Sequence, residues 1–359
     1  SYYDDNENST YEWSDWLSFG KWGTHIKRSS KSPDSHLAKI STDEFIIKGS
    51  YTDTASKIQI RALLHTENTN VTPSIRQFII SYKDNTPRLK SIEIPSNKII
   101  DVPSYSQYIR DKNIGGVICS PTSITMLLNR RNENLIVEET AWSCFDYDYE
   151  AFGNWLFNVA FASSLGYESF VEYGNLKSLK REIYSEYPVA VSVKYTNDIN
   201  NLEYPYIENA PITTAGNILV VRGFEKKDGI DYVVVNDPAG KSNESVTRRY
   251  KLSEFESAWH RGSNIMYIIH DKEVEINNNR IEASLELKNN KENLYSVLVN
   301  DTYLDLSSDF VKTILITYDN GLTFEYLVPY NNHYLALENK NKCVIYIIGS
   351  DGFTYVCNC

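Results

Sequence analysis

The stretch Gly115-Gly116-Val117-Ile118-Cys119-Ser120-Pro121-Thr122-Ser123-Ile124-Thr125-Met126-Leu127-Leu128 decides how the chain is read. Pro121 sits in what should be the first turn of a helix, where its missing N–H costs no hydrogen bond, and an apolar run follows it. A helix start there places Cys119 among unpaired backbone N–H groups at the positive end of the helix dipole. That setting favours the thiolate, the nucleophilic form of cysteine. The two preceding glycines let backbone or ligand approach closely. A cysteine so placed is either a nucleophile or a small buried residue, and the stretch alone leaves both readings open.

Outward from it, residues 101–272 alternate helix-like and strand-like segments. A second helix is expected over 176–186, ended by Tyr187-Pro188, and strands over 189–194, 218–224, 230–236 and 265–270. Early helices followed by an antiparallel sheet make an α+β unit. Before it, strand-like segments at 44–48, 57–64 and 75–82 are separated by turn signals at Gly49, Asn70 and Pro73. They predict a small β-sandwich, with Pro87, Pro95 and Pro103 punctuating the connector. After it, segments at 282–287, 296–299, 312–318, 324–328, 344–348 and 353–356 read as strands of a small C-terminal β domain. The expected modules are 1–97, 98–274 and 275–359.

Composition narrows the function classes. With Lys+Arg 36 against Asp+Glu 47, the net charge is −11, and no basic block stands out, which argues against nucleic-acid binding. No stretch approaches the roughly 20 apolar residues of a membrane span. The 27 tyrosines suit a β-rich protein. Five cysteines are too few and too uneven for a disulfide scaffold. Cys343 with Cys357 is one bridge the spacing allows, with Cys359 then left at the terminus. Ser1 to Ser9 carry no basic and apolar leader pattern, so no signal peptide is expected within this chain. Neither a zinc-type cysteine set nor a phosphate-binding glycine loop occurs, and no cofactor or metal is expected. Asp146, Asp148 and Glu150, interleaved with tyrosines, read as one polar face of an extended segment lining a cleft rather than a cation site.

Downstream of Cys119, the strands over 217–224 and 230–237 form a plausible hairpin around residues 225–229. If Phe224 faces Ile230, Asn217 lies directly across from Asp237, and residues so opposed have Cβ atoms about 5 Å apart. A base and its orienting partner on adjacent strands is the geometry a Cys-His-Asp or Cys-His-Asn site needs. Asp237-Pro238 is equally a turn-forming pair.

Several of these segments together resemble the bacterial bacteriocin-processing-type cysteine peptidase-like family, a branch of the papain-like superfamily. They are Asp101-Val102-Pro103-Ser104-Tyr105-Ser106-Gln107, Cys119-Ser120-Pro121-Thr122-Ser123, Tyr147-Asp148-Tyr149, Gly153-Asn154-Trp155 and Val235-Asn236-Asp237-Pro238-Ala239. Trp16, Phe19-Gly20, Trp22 and Ile60-Arg61-Ala62-Leu63 resemble the β-rich domain that precedes such units. The resemblance implies a papain-like domain with Cys119 as nucleophile, Gln107 contributing to the oxyanion hole, and Asp237 orienting the general base. The base should be a histidine just after Gly216, and this chain has Asn217 there.

An amide has no nitrogen that accepts a proton near neutral pH, so Asn217 cannot serve as that base. Of the histidines, His260 in Ala258-Trp259-His260-Arg261-Gly262 is the best substitute. Two functions follow. One is a cysteine peptidase-like hydrolase of peptide or amide bonds, inactive or strongly impaired because Asn217 replaces the histidine, whether as a natural pseudoenzyme or as an inactivated variant. The other is a non-catalytic secreted or cell-surface bacterial protein using the same cleft and β domains. Expected partners are a peptide or protein substrate, with a cell-wall or surface ligand as a second class.

Overall fold

The computed structural model describes residues 12–49, 55–83, 97–276, 278, 280–338 and 342–359. Near the N-terminus, β1 (Gly20–Lys21) pairs with β2 (Ser29–Ser30), and β3 (Ala38–Ser41) with β4 (Glu44–Ile47). The segment expected as a strand at 44–48 is thus β4. Those at 57–64 and 75–82 form no strand. A sandwich needs two sheets burying a shared face. Here Ile58, Leu63 and Phe78 are 59%, 71% and 54% exposed, and the described N-terminal residues hold only the two short ribbons, so the expected sandwich is not formed among them. Pro87, Pro95 and the opening residues 1–11 lie outside the described residues.

The central part is α+β, as expected. Its elements in chain order are β5 (Lys98–Ile99), α1 (Cys119–Asn129), α2 (Val137–Cys144), α3 (Trp155–Ser164), β6 (Tyr167–Tyr173) and α4 (Leu176–Tyr184). Then come β7 (Val189–Tyr195), β8 (Thr214–Lys227), β9 (Ile230–Asn236), β10 (Thr247–Lys251), α5 (Leu252–Arg261) and β11 (Ile265–Lys272). The strands form one antiparallel sheet in the order β10-β9-β8-β7-β11-β6, with β5 also on β8. α4 starts at Asn175, whose side chain accepts from Lys177 N and Ser178 N, and it ends before Tyr187-Pro188.

α1 is the buried axis of this unit, with Ser120 to Leu128 all buried. Its hydroxyl residues are tolerated there because each has a partner. Thr122 and Thr125 donate to the carbonyls of Ile118 and Pro121 at 2.7 and 2.8 Å, and Ser123 donates to Ile218 O on β8 at 3.0 Å. One apolar cluster joins α1, α3, α4, α5 and the sheet, including Ile124, Leu128, Leu179, Val191, Leu219, Val235 and Trp259.

The β8–β9 register differs from the expected one. The strands turn at Asp228-Gly229, both at positive φ (52° and 79°), so Lys227, not Phe224, faces Ile230. An Asp-Gly pair is a strong signal for such a two-residue hairpin. A bulge between Val221 and Gly223 then shifts the pairing by one, giving Val220 opposite Asn236. Continued by one residue, that register sets Asp237 opposite Leu219. Asn217 then lies two residues along on the same face, a diagonal neighbour of Asp237 rather than the residue directly across.

A second large sheet follows. It contains β12 (Ile281–Asn289), β13 (Leu294–Val299), β14 (Thr302–Tyr303), β15 (Val311–Thr317), β16 (Glu325–Tyr326), β17 (Leu335–Ala336), β18 (Val344–Gly349) and β19 (Thr354–Asn358). Their order is β14-β13-β12-β19-β18-β15-β16, with β17 on β13 and the β12–β19 pair parallel. This sheet has its own core around Ile316, Ile345 and Ile347. It reaches the central unit at α2, where Arg280 pairs with Glu139 at 2.8 Å, and at Asp111, which accepts from Thr313 at 2.7 Å. The bridge joins Cys343 to Cys359, not to Cys357. The β18–β19 register explains the choice. Val344 faces Asn358, which brings 343 beside 359, whereas Cys357 faces Ile345 and is buried in the core as a free thiol. Among the described residues no helix is long and apolar enough to cross a membrane.

Candidate active site

Cys119 is the first residue of α1 and is partly buried. The Ile118 position before it supplies no side-chain cap, so the backbone N–H groups of the first turn stay available. Burial nevertheless pushes the Cys119 thiol above its ordinary value. The N–H of Ile218 pulls the other way, the nearby Asp237 carboxylate adds to the rise, and the N–H groups of Ser120 and Cys119 only partly offset it. The low thiol pKa that a helix start alone suggests is therefore overridden by desolvation. The contact with Ile218 N–H also fixes where the sulfur stands, beside the 217–218 step of β8.

At that step Asn217 is 4% exposed, and its Nδ2 donates to Asp237 Oδ1 at 3.0 Å and to Tyr195 Oη at 3.2 Å. Asp237 is fully buried. Its Oδ1 also accepts from Ala239 N at 3.0 Å, and its Oδ2 accepts from the hydroxyls of Tyr195 at 2.7 Å and Tyr250 at 2.8 Å. Burial first, and the Asp237 charge second, hold both phenols well above their ordinary range, so each remains an O–H donor. The Ala239 bond shows the Asp-Pro pair acting as a turn former. Four donors surround one buried carboxyl group, which has no ion pair among the described residues. On the same Cβ–Cγ stem, an imidazole would carry its Nδ1 where the Asn217 amide nitrogen stands. The Asn217–Asp237 bond is the one such a ring would make, but nothing in the amide corresponds to the second ring nitrogen.

Gln107 opens a single 3₁₀ turn, Gln107–Ile109, and is 3% exposed. Its backbone N donates to Pro238 O at 2.9 Å, which ties it to the residue after Asp237. Its side-chain Oε1 is buried with no hydrogen-bond partner among the described residues. Tyr108, next to it, has its phenol raised by burial and by the charges of Asp237 and Cys119, so this turn lies against the same site. The loop from here to Cys119 is held by Asp111, whose carbonyl accepts from Gly115 N at 2.7 Å. Gly115 is obligatory: a Cβ there would come 2.8 Å from the Gln107 carbonyl oxygen.

Cys119, Asn217, Asp237 and Gln107 are thus brought together. His260 is not part of the group. It is exposed and its Nδ1 pairs with Asn264 Oδ1 at 3.1 Å, while His270 is held between Glu168 and Glu182 at 2.8 Å each. Asp146 does not belong to an extended cleft face either. It is buried in a turn, accepting from Ser30 N, Tyr149 N and Asn154 Nδ2. The sequence reading missed Tyr195 and Tyr250. Tyr195 does carry a signal, since it continues the face of Val191 and Val193 and ends that buried run with a polar tip.

Residues 99–266 match the sequence profile described as the Peptidase_C39 like family. No curated protein matches the chain. Among solved structures, the chain resembles a double glycine motif protease from an AMS/PCAT transporter, solved in complex with the leader peptide. Identity is 17% over 50% of this chain and 98% of that one, with a TM-score of 0.32. It also resembles a C39-like peptidase from Bacillus anthracis, at 16% identity over 50% of this chain and 100% of that one, TM-score 0.36. A third is digestive procathepsin L 3 of Tenebrio molitor larval midgut, at 13% identity over 48% and 67%, TM-score 0.34. The family match thus covers the 99–266 segment, the part of the chain that carries Gln107, Cys119, Asn217 and Asp237.

Proposed function

We propose that this chain is a cysteine peptidase-like protein whose centre binds peptide or amide ligands but hydrolyses them poorly or not at all. The observation that carries this is the Asn217 Nδ2–Asp237 Oδ1 hydrogen bond of 3.0 Å. It fills the position of a general base with a group that cannot accept a proton. In this reading Cys119 keeps the place of the nucleophile, and Gln107 with the Cys119 N–H offers donors to a ligand carbonyl. Asp237 keeps the place of the orienting carboxylate. The buried, unpartnered Oε1 of Gln107 is an acceptor that a ligand N–H could meet, while its amide nitrogen faces the carbonyl. The raised thiol supports silence, because burial and the neighbouring Asp237 charge disfavour the thiolate, the form that attacks.

The three modules 1–97, 98–274 and 275–359 belong to this proposal, with the second sheet as a buttress or a surface for a cell-wall ligand. So does placement outside the bacterial cytoplasm, which the Cys343–Cys359 bridge supports because such bonds persist in oxidising compartments. The test is retention of a broad peptide library by the immobilised chain, followed by mass spectrometry of what is eluted. The proposal expects selected peptides, recovered intact, and lost when Cys119→Trp fills the floor of the cleft. Recovery of cleaved peptides from the chain as written would overturn the silence. No selection at all would overturn the cleft as a binding site.

A further inference from the structure

A cavity of about 250 Å³ lies beside the candidate centre and is closed on one side by residues outside the 99–266 segment. Its walls include Asp43 and Glu44 from the tip of the β3–β4 ribbon, Tyr149 and Trp155 from the entry to α3, and Ser192 and Lys194 from β7. Two links join it to Cys119. Ser192 pairs with Ile218, whose N–H meets the Cys119 sulfur, so one wall of the cavity is the strand next to that contact. On the other side, Tyr267 hydrogen-bonds Ser120 at 2.9 Å and feels the charge of Asp43.

The charge in this cavity is unbalanced. Asp43 accepts one hydrogen bond from another residue, Trp155 N at 2.8 Å, and has no ion pair among the described residues. Glu44 accepts from the hydroxyl of Tyr173 at 2.9 Å, a neutral donor, and has no ion pair among the described residues. Lys194 makes no ion pair among the described residues, so it neutralises neither acid. Burial, with Glu44 and Asp146 adding to it and Trp155 N–H opposing it, pushes Asp43 up to about 7. A carboxylate held in a cavity with no ion-pair partner gains most from an incoming cation, and Lys194 in the same wall is the competitor for it. The indole of Trp155 and the phenol of Tyr149 add aromatic walls, which also favour cations.

We propose that this cavity receives a basic side chain, lysine or arginine, of a peptide lying across Cys119, with Asp43 as the specificity-determining residue. This rests on the peptide-binding reading above. The ribbon tip then has a function that the 99–266 segment alone lacks: it completes a side-chain pocket for a ligand that the central unit holds by its backbone.

The experiment uses the full chain and fluorescein-labelled heptapeptides carrying arginine, its neutral isostere citrulline, or glutamate at each position in turn, with anisotropy as the readout. At one position arginine should bind about tenfold tighter than citrulline. Asp43→Asn should shrink that gap to less than twofold, and Lys194→Ala, which removes the competing cation, should widen it. The Lys194 variant keeps the test valid if Asp43→Asn perturbs the ribbon. Equal binding of arginine and citrulline peptides at every position would overturn the pocket assignment while leaving the cleft reading in place. A glutamate preference abolished by Lys194→Ala would overturn it in favour of an acidic ligand. Failure of every peptide to bind would overturn both.

Discussion

Replacing Asn217 by histidine asks whether one atom separates this centre from a working one. The substitution gives up the Nδ2 bonds to Asp237 and Tyr195, at 3.0 and 3.2 Å, and gains an Nδ1–H to Asp237 in the same place. Tyr195 and Tyr250 keep their own bonds to Oδ2, so the carboxylate that orients the ring is already fixed. The larger ring must be accommodated at a site where Asn217 is already only 4% exposed. If the cleft does not yield, overpacking costs about 1–3 kcal/mol of stability. A positioned base contributes roughly 10²–10⁴ in rate, or about 2.7–5.4 kcal/mol of barrier. The assay compares the chain as written, Asn217→His, and Asn217→His with Cys119→Ser on one peptide library, with near-ultraviolet circular dichroism to show that each folds. Cleavage should appear only in the histidine variant that keeps Cys119. Cleavage that survives Cys119→Ser, or a folded Asn217→His chain that turns over no peptide the parent binds, would refute the assignment of position 217.

Three further outcomes follow from the same geometry. Tyr195→Phe and Tyr250→Phe each remove a donor from the buried Asp237 Oδ2 and should cost about 1–3 kcal/mol in urea unfolding, less for the second once the first is gone. His270 is raised by its hydrogen bond to Glu182, against burial and with help from Glu168. Its folded value exceeds its unfolded one, so its contribution is full below about pH 6.5 and is lost as pH rises through the raised value. The decline in unfolding free energy over that window should flatten in His270→Gln. Limited proteolysis should cut first within residues 87–100 or 272–279, where the proposed modules meet, and early cuts within residues 218–237 would contradict the hairpin.

How much of this was legible in the sequence depends on how local each signal was. The start of α1 and the end of α4 were legible because proline acts on its immediate neighbours. The meeting of Asn217 and Asp237 was legible only by face. A register reckoned from Phe224 and Ile230 missed both the Asp228-Gly229 turn and the bulge beyond Val221, and these set the actual diagonal. The disulfide partner was hidden for a related reason, since it is fixed by the pairing of Val344 with Asn358. Alternation at 57–64 was misleading, because a half-apolar pattern becomes a strand only where another strand lies beside it. The Cys119 environment was misjudged because helix position is visible in sequence, whereas desolvation by β8 is a tertiary effect.

The most direct test of a silent centre is the pH dependence of Cys119 alkylation by iodoacetamide in the chain as written, with Cys119→Ser as the blank. Cys144 and Cys357 are pushed by burial to about 12 and Cys343 is bridged to Cys359, so reaction in the neutral range reports Cys119. Desolvation, with the Asp237 charge beside it, predicts a midpoint above the 8.5 or so of a free cysteine. A midpoint well below 7 would mean a thiolate already poised to attack, and would contradict the account.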